Sequence, residues 1–121
     1  MILKSSIAPR NSILFIFDPT ITIEVPEGVG ATLVAATRTC ISVGTLAEMD
    51  GETTIYLSDE FVDPVGRIVF DGFLETAGKQ VSISDVSGEN ILSMKVMRTI
   101  SQVTIWANDL SEPDIILVMV G

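Results

Sequence analysis

The sequence at positions 101–107 is SQVTIWA, and its residues alternate in character. In an extended chain one face holds Val103, Ile105 and Ala107, and the opposite face holds Gln102, Thr104 and Trp106. This period of two is typical of a β-strand that buries one face. Such a strand needs a second layer to cover its apolar face, so the stretch indicates a layered β-structure.

Short segments rich in β-branched residues recur along the whole chain, separated by turn residues at intervals of about eight to twelve positions. Residues 12–17 are almost wholly apolar, which is typical of a central strand buried on both faces. The segments together predict about eight strands. Eight lie at residues 12–17, 20–25, 53–58, 67–74, 80–84, 91–96, 101–107 and 114–120, and residues 37–43 are a further candidate.

Two segments need separate comment. In residues 67–74 the alternation groups Ile68, Phe70 and Leu74 on one face, opposite Val69, Asp71 and Phe73, and Gly72 predicts a bulge. Residues 29–43 begin with an alanine-rich part that suits two helical turns and continue with the β-branched content of a strand. We favour a short helix running into a strand, although periodicity alone leaves both possibilities open.

This pattern predicts a mostly-β fold in a single domain that covers residues 1–121. Strands with one polar face pack best as two sheets face to face, so we predict an antiparallel β-sandwich of about eight strands with at most one short helix. The alternative is a closed β-barrel.

The composition bears on assembly and compartment. Hydrophobic residues make up 47% of the chain and charged residues only 19%, so we expect a homo-oligomer whose interface covers surplus apolar surface. Cys40 is the only cysteine, which fits a reducing compartment, and we interpret it as a buried thiol. We see no secretory signal and no apolar run long enough for a membrane span, so we expect a cytoplasmic protein with no membrane partner.

The net charge is −9, and the acidic residues are concentrated in one part of the chain. Between positions 48 and 85 only Arg67 and Lys79 oppose nine acidic residues, which are Glu48, Asp50, Glu52, Asp59, Glu60, Asp63, Asp71, Glu75 and Asp85. Because nucleic-acid affinity comes from basic residues that neutralise phosphates, we expect no nucleic-acid partner. An acidic surface can attract a basic protein, or it can simply keep an apolar chain soluble.

The chain contains no histidine and no CxxC motif. These absences remove the Ser-His-Asp and Cys-His arrangements and the usual zinc sites. The acidic residues near position 50 do not follow the spacing of an EF-hand calcium loop. We therefore expect no catalytic residue, no cofactor and no metal, and we expect that the protein is not an enzyme.

Candidate contacts with a protein partner come from charge and from two aromatic residues. Trp106 and Phe73 each fall on the more polar face of a predicted strand, where an aromatic side chain can contact a partner. For Trp106 the alternative is partial cover by a neighbouring loop. The candidate acidic contacts are Glu48, Asp50, Glu52, Asp59, Glu60 and Asp63.

In the order and character of its elements the chain resembles the competence protein J family of bacterial DNA-entry nuclease inhibitors. The resembling parts are residues 13–18, residues 28–36 running into a strand, Val81-Ser82-Ile83 with its following turn, and Val103-Thr104-Ile105-Trp106. The resemblance spans most of the chain by architecture and implies a sandwich fold and a protein partner. Thr99-Ile100-Ser101 replaces the Gly-Asp/Glu-Tyr expected before the last of these strands, and no inhibitory residue is carried over by position.

Three hypotheses of function follow from these observations. The one we favour is a non-catalytic, acidic protein-binding module of inhibitor or immunity type that binds a basic protein partner. The second is a structural homo-oligomer, which is compatible with the first. The third is a binder of a small apolar ligand, with a pocket lined by residues such as Phe70, Phe73 and Met94.

Overall fold

The computed structural model describes residues 1–121 and contains ten β-strands. They are β1 (Ile2–Ile7), β2 (Ile13–Phe17), β3 (Val34–Ala36), β4 (Cys40–Gly44), β5 (Thr53–Ser58), β6 (Arg67–Glu75), β7 (Gln80–Ser84), β8 (Asn90–Lys95), β9 (Ile100–Ala107) and β10 (Ile115–Val120). Two single-turn 3-10 helices lie at Arg10–Ser12 and Glu48–Asp50. Neither helix is long enough to cross a membrane.

The strands form two five-stranded sheets, in the orders β1-β5-β10-β9-β6 and β3-β4-β2-β7-β8. We call them the first and the second sheet. All neighbouring strands are antiparallel except β5 and β10, which run parallel. Both sheets are open, with edge strands on either side, so the predicted β-sandwich is confirmed and the barrel alternative is wrong.

The core lies between the two sheets and follows the predicted alternation. On β9 the side chains of Val103, Ile105 and Ala107 are buried, whereas Gln102 is exposed. Fifteen buried side chains from both sheets form one cluster, which consists of Leu14, Ile16, Ile41, Val43, Ile55, Leu57, Leu74, Val81, Ile83, Met94, Val103, Ile105, Ile116, Val118 and Val120. This shared core is the second layer that strands with one polar face require.

Two segments depart from the predicted strands. Residues 2–7 form β1, an edge strand in which no side chain is fully buried, so its sequence carries little periodic signal. Residues 20–25 alternate as a strand does but join no sheet, because threonine side chains hold this backbone instead. The hydroxyl of Thr39 accepts a hydrogen bond from the Glu24 N–H, and the hydroxyl of Thr37 donates to the Glu24 carbonyl.

The predicted helix after residue 29 is wrong. The chain forms turns there and then β3, whose residues Val34–Ala36 pair with β4. In this register Ala35 lies opposite Ser42, so pairing with a neighbouring strand overrides the helix propensity of the alanines. The strand predicted at residues 37–43 is present as β4.

The predicted bulge in β6 occurs, but three residues earlier than Gly72. The register shifts between Ile68 and Phe70, which places Val69 in the bulge and turns Ile68 to the outer face. Gly72 instead provides space, because a Cβ atom there would lie 2.8 Å from the Phe70 ring. The face that holds Ile68 therefore also holds Asp71 and Phe73.

Cys40 is buried, which confirms the interpretation of this residue as a core thiol. Burial raises the pKa of its thiol to about 11. Removing the thiol from water disfavours its thiolate, which is the reactive form of cysteine.

We therefore expect Cys40 to resist thiol-modifying reagents in the folded protein. At a pH near 8, a pKa of about 11 leaves roughly a hundredfold less thiolate than an ordinary cysteine has. Ellman's reagent should react at least roughly a hundredfold more slowly with the native protein than with the protein unfolded in guanidinium chloride. Rapid reaction of the native protein would contradict the burial of this thiol.

Candidate functional site

The link between β5 and β6, residues 59–66, passes over the outer face of the first sheet, and we call it the crossover. Strand β6 runs parallel to β5 but lies at the far edge of the sheet, beyond β10 and β9. Val62 and Val65 of the crossover line a cleft of about 220 Å³ together with Tyr56 and Leu117. This cover explains why Leu117 is only 4% exposed on an outward-facing position.

Beside the crossover lies an open groove of about 260 Å³, which we call the crossover groove. Its lining consists of Asp59, Glu60, Phe61, Gln102, Thr104, Met119, Val120 and Gly121. The crossover supplies the two carboxylates and the ring of Phe61, and β9 supplies the side chains of Gln102 and Thr104. Phe61 is 76% exposed, whereas phenylalanine side chains are usually buried in the core or covered by a binding partner.

Strand β6 borders the groove on the side of the sheet edge, next to Gln102 and Thr104. Asp71 accepts hydrogen bonds from Gln102 Nε2 and Thr104 Oγ1, both at 3.3 Å. Phe73 lies directly opposite Gln102 in the register and is 67% exposed. Exposed aromatic rings and carboxylates therefore lie next to each other on one outer face.

The carboxylates on this face differ in their basic partners. The amino group of Met1 lies 2.5 Å from Asp59 Oδ1 and 2.9 Å from Glu60 Oε2. Its hydrogen bond to Asp59 holds the pKa of that carboxyl below its ordinary value. Elsewhere the closest side-chain ion pair is Arg38–Glu75, at 3.9 Å, so Asp71 has no basic partner.

The six candidate acidic residues do not form one cluster. Glu48, Asp50 and Glu52 precede β5, whereas Asp59 and Glu60 follow it. A strand of six residues spans about 20 Å, so the two groups lie at opposite ends of the sandwich. No three acidic or thiol side chains come together in a way that could hold a metal ion.

The remaining candidates also lie on the outer face of the first sheet. Asp63 borders the cleft beneath the crossover. Trp106 is half-buried between its cross-strand neighbours Leu117 and Ile68, and its Nε1–H is buried without a hydrogen-bond partner. Phe73 is thus the exposed member of the two predicted aromatic contacts, and Trp106 is the covered one.

The three side chains suggested as the lining of an apolar-ligand pocket do not come together. Phe70 and Met94 contribute to the interior of the sandwich, whereas Phe73 points out from the opposite face of β6. The three side chains therefore cannot line a common cavity.

Comparison with known proteins finds a solved structure of similar fold. The structure matches the crystal structure of ComJ, inhibitor of the DNA degrading activity of NucA, from Bacillus subtilis, with a TM-score of 0.67. The chain has a ComJ-like fold. The match covers 99% of this chain and 97% of ComJ at 15% sequence identity, so the likeness to ComJ concerns architecture and assigns no residue a role. No protein-family model and no curated protein sequence matches the chain.

On this ComJ-like fold, two side chains with a partner-binding chemistry, Asp71 and Phe61, lie at the groove but are absent from the predicted contacts. Asp71 shares a face with Phe73 at a spacing of two, so the alternation in β6 carries a signal for it. Phe61 stands between Glu60 and Val62 in a link without periodicity, and only the path of the crossover brings it to the groove.

Proposed function

We propose that this protein is a non-catalytic binding module of inhibitor type, and that the acidic outer face of its first sheet binds a basic protein partner. The observation that carries the proposal is the crossover groove, where exposed aromatic rings and carboxylates adjoin on a ComJ-like fold. ComJ inhibits a DNA-degrading protein, so a nuclease is the first class of partner to test.

Charge supports the choice of a basic partner. The net charge of −9 creates a negative field that attracts a positively charged protein and accelerates its approach. Exposed aromatic side chains supply the desolvated contacts that dominate binding energy at interfaces. The reduced, buried Cys40 is consistent with the cytoplasmic location that we propose.

Affinity purification from the native host tests this function. We expect immobilised protein at low salt to retain one basic protein in stoichiometric amount, and a high-salt wash to release it, because salt screens attraction between exposed charges. Mass spectrometry identifies the released protein, and an activity assay shows whether the module inhibits it. Recovery of this chain alone would contradict the proposal.

A structural homo-oligomer is the second candidate, and the edge of the first sheet favours it. Strand β6 is a nine-residue edge strand that exposes Ile68 and Phe73, and such edges tend to pair with another chain. Light scattering over a wide concentration range should then show mass above that of the monomer. A monomer at every concentration would exclude this candidate.

A further inference from the structure

We infer that the crossover groove receives an arginine side chain of the partner, with its guanidinium group among the carboxylates of Asp59, Glu60 and Asp71 and against the rings of Phe61 and Phe73. This inference rests on the proposed function and names the contact by which it operates.

The size of the groove favours a single side chain as the occupant. Its volume of about 260 Å³ lies below the range of about 300–1,000 Å³ that is typical of small-molecule sites. It is also open to solvent along the outer face, as a site for a side chain presented by another protein must be.

The groove keeps acceptors that its own donors do not use, which suits a group that only donates. Asp59 and Glu60 share the single amino group of Met1, and Asp71 has no basic partner, so the three carboxylates keep two uncompensated negative charges. Asp71 uses Oδ1 for its contacts with Gln102 and Thr104, and its Oδ2 has no partner within the protein. Because Gln102 donates to Asp71 through Nε2, its Oε1 is also left as a free acceptor. A guanidinium group offers five N–H donors in a planar fork and accepts no hydrogen bond.

The aromatic rings select arginine over lysine. Phe61 and Phe73 are the aromatic side chains that this protein exposes, and both adjoin the groove. A planar guanidinium group stacks on a ring face while it keeps its in-plane hydrogen bonds, whereas an ammonium group is compact and more strongly hydrated. Glu48, Asp50 and Glu52, at the other end of β5, have no exposed aromatic residue beside them.

Two variants with the same charge change separate the groove from general attraction. Asp59→Asn, Glu60→Gln and Asp71→Asn combine in the groove variant, and Glu48→Gln, Asp50→Asn and Glu52→Gln combine in the distal variant. Each removes three negative charges from the net charge of −9. The probe is a fluorescent hexa-arginine peptide, with binding measured by anisotropy near physiological ionic strength, where charges are screened beyond about 8 Å.

We expect the groove variant to bind hexa-arginine at least about tenfold more weakly than the unaltered protein, and the distal variant to change affinity by less than about twofold. Equal weakening by both variants would mean diffuse attraction and would overturn the inference. Circular dichroism of both variants checks that the fold is intact.

The rings are tested by Phe61→Leu and Phe73→Leu, which keep apolar side chains and remove the aromatic faces. Each should weaken hexa-arginine binding by about two- to fivefold, the size of a cation–π contact at an exposed site. Hexa-lysine should bind the unaltered protein more weakly and lose less on these substitutions. Unchanged hexa-arginine affinity in both variants would contradict stacking of a guanidinium group.

The partner captured from the host distinguishes failure of this inference from failure of the proposed function. If that protein stays bound to the groove variant but not to the distal variant, the function stands and the groove is the wrong contact. If the groove binds hexa-arginine but no host protein is captured, the proposed function is wrong and the chemistry of the groove stands.

Discussion

Replacing Gly66 with alanine is expected to destabilise the protein by about 4 kcal/mol or more, which is a large part of the stability of a domain of this size. A Cβ atom at Gly66 would lie 2.0 Å from the carbonyl oxygen of Ala107 and 2.7 Å from Asn108 Cα. Both are backbone atoms, so no side-chain rotation relieves the overlap. The end of the crossover would have to move away from β9.

Gly88→Ala is the matched control for this substitution. Gly66 has φ 81° and Gly88 has φ 80°, so alanine experiences the same left-handed backbone strain at both positions. A Cβ atom at Gly88 would meet nothing within 4 Å, and its cost should be only about 1 kcal/mol. The difference in unfolding free energy, measured by urea denaturation, isolates the close approach of Gly66 to β9. Equal losses in the two variants would contradict that approach.

The shape of the crossover groove also depends on the position of Gly66. Since Gly66 is the last residue of the crossover before β6, its contact with Ala107 determines where the crossover ends on the outer face. Asp59, Glu60 and Phe61 lie at the start of the same link. A variant that moves one end of an eight-residue link changes the path of the rest.

Most of the strands that can be predicted from the sequence are predicted from the local pattern of apolar residues. Alternation identifies β9, and a continuous apolar run identifies β2, in which Leu14 and Ile16 are buried and the other three side chains are half-buried. The pattern fails for β1, which lies at an edge and buries no side chain fully. It misleads at residues 20–25, where Ile21 and Ile23 are half-buried and alternate correctly but the backbone bonds to threonine side chains.

The candidate site is harder to predict from the sequence than the fold is, because it depends on pairing between strands that are distant along the chain. Phe73 is identified by its place in the alternation, but the groove exists only because β5 and β6 run parallel with two strands between them. The amino-acid composition also gives the number of charged residues but not which of them are buried. Asp85 belongs to the acidic excess, yet it is buried and hydrogen-bonded to Ser87, which lowers the pKa of its carboxyl group.

Asp18 is a second acidic residue whose burial the sequence does not reveal. Its substitution is the second change for which we expect a large loss of stability. In the sequence, Asp18 and Pro19 only end an apolar strand, but in the structure the Asp18 side chain is fully buried. Its Oδ1 accepts hydrogen bonds from the Thr20 N–H at 2.8 Å and the Thr20 hydroxyl at 2.7 Å. Its Oδ2 accepts one from the Gly78 N–H at 2.7 Å, which joins the end of β2 to the turn before β7.

Asp18→Ala should therefore cost about 3–5 kcal/mol, because it leaves three donors without their acceptor. Asp18→Asn is the control: its amide oxygen can still accept both bonds from Thr20, and only the bond from Gly78 is lost, at a cost of about 1–2 kcal/mol. Urea denaturation of both variants measures the difference. If Asp18→Ala and Asp18→Asn lose the same stability, the bond to Gly78 carries the whole effect and the turn at Thr20 holds without the carboxylate. The expected larger loss in Asp18→Ala would show that one side chain stabilises two turns that lie sixty residues apart in the chain.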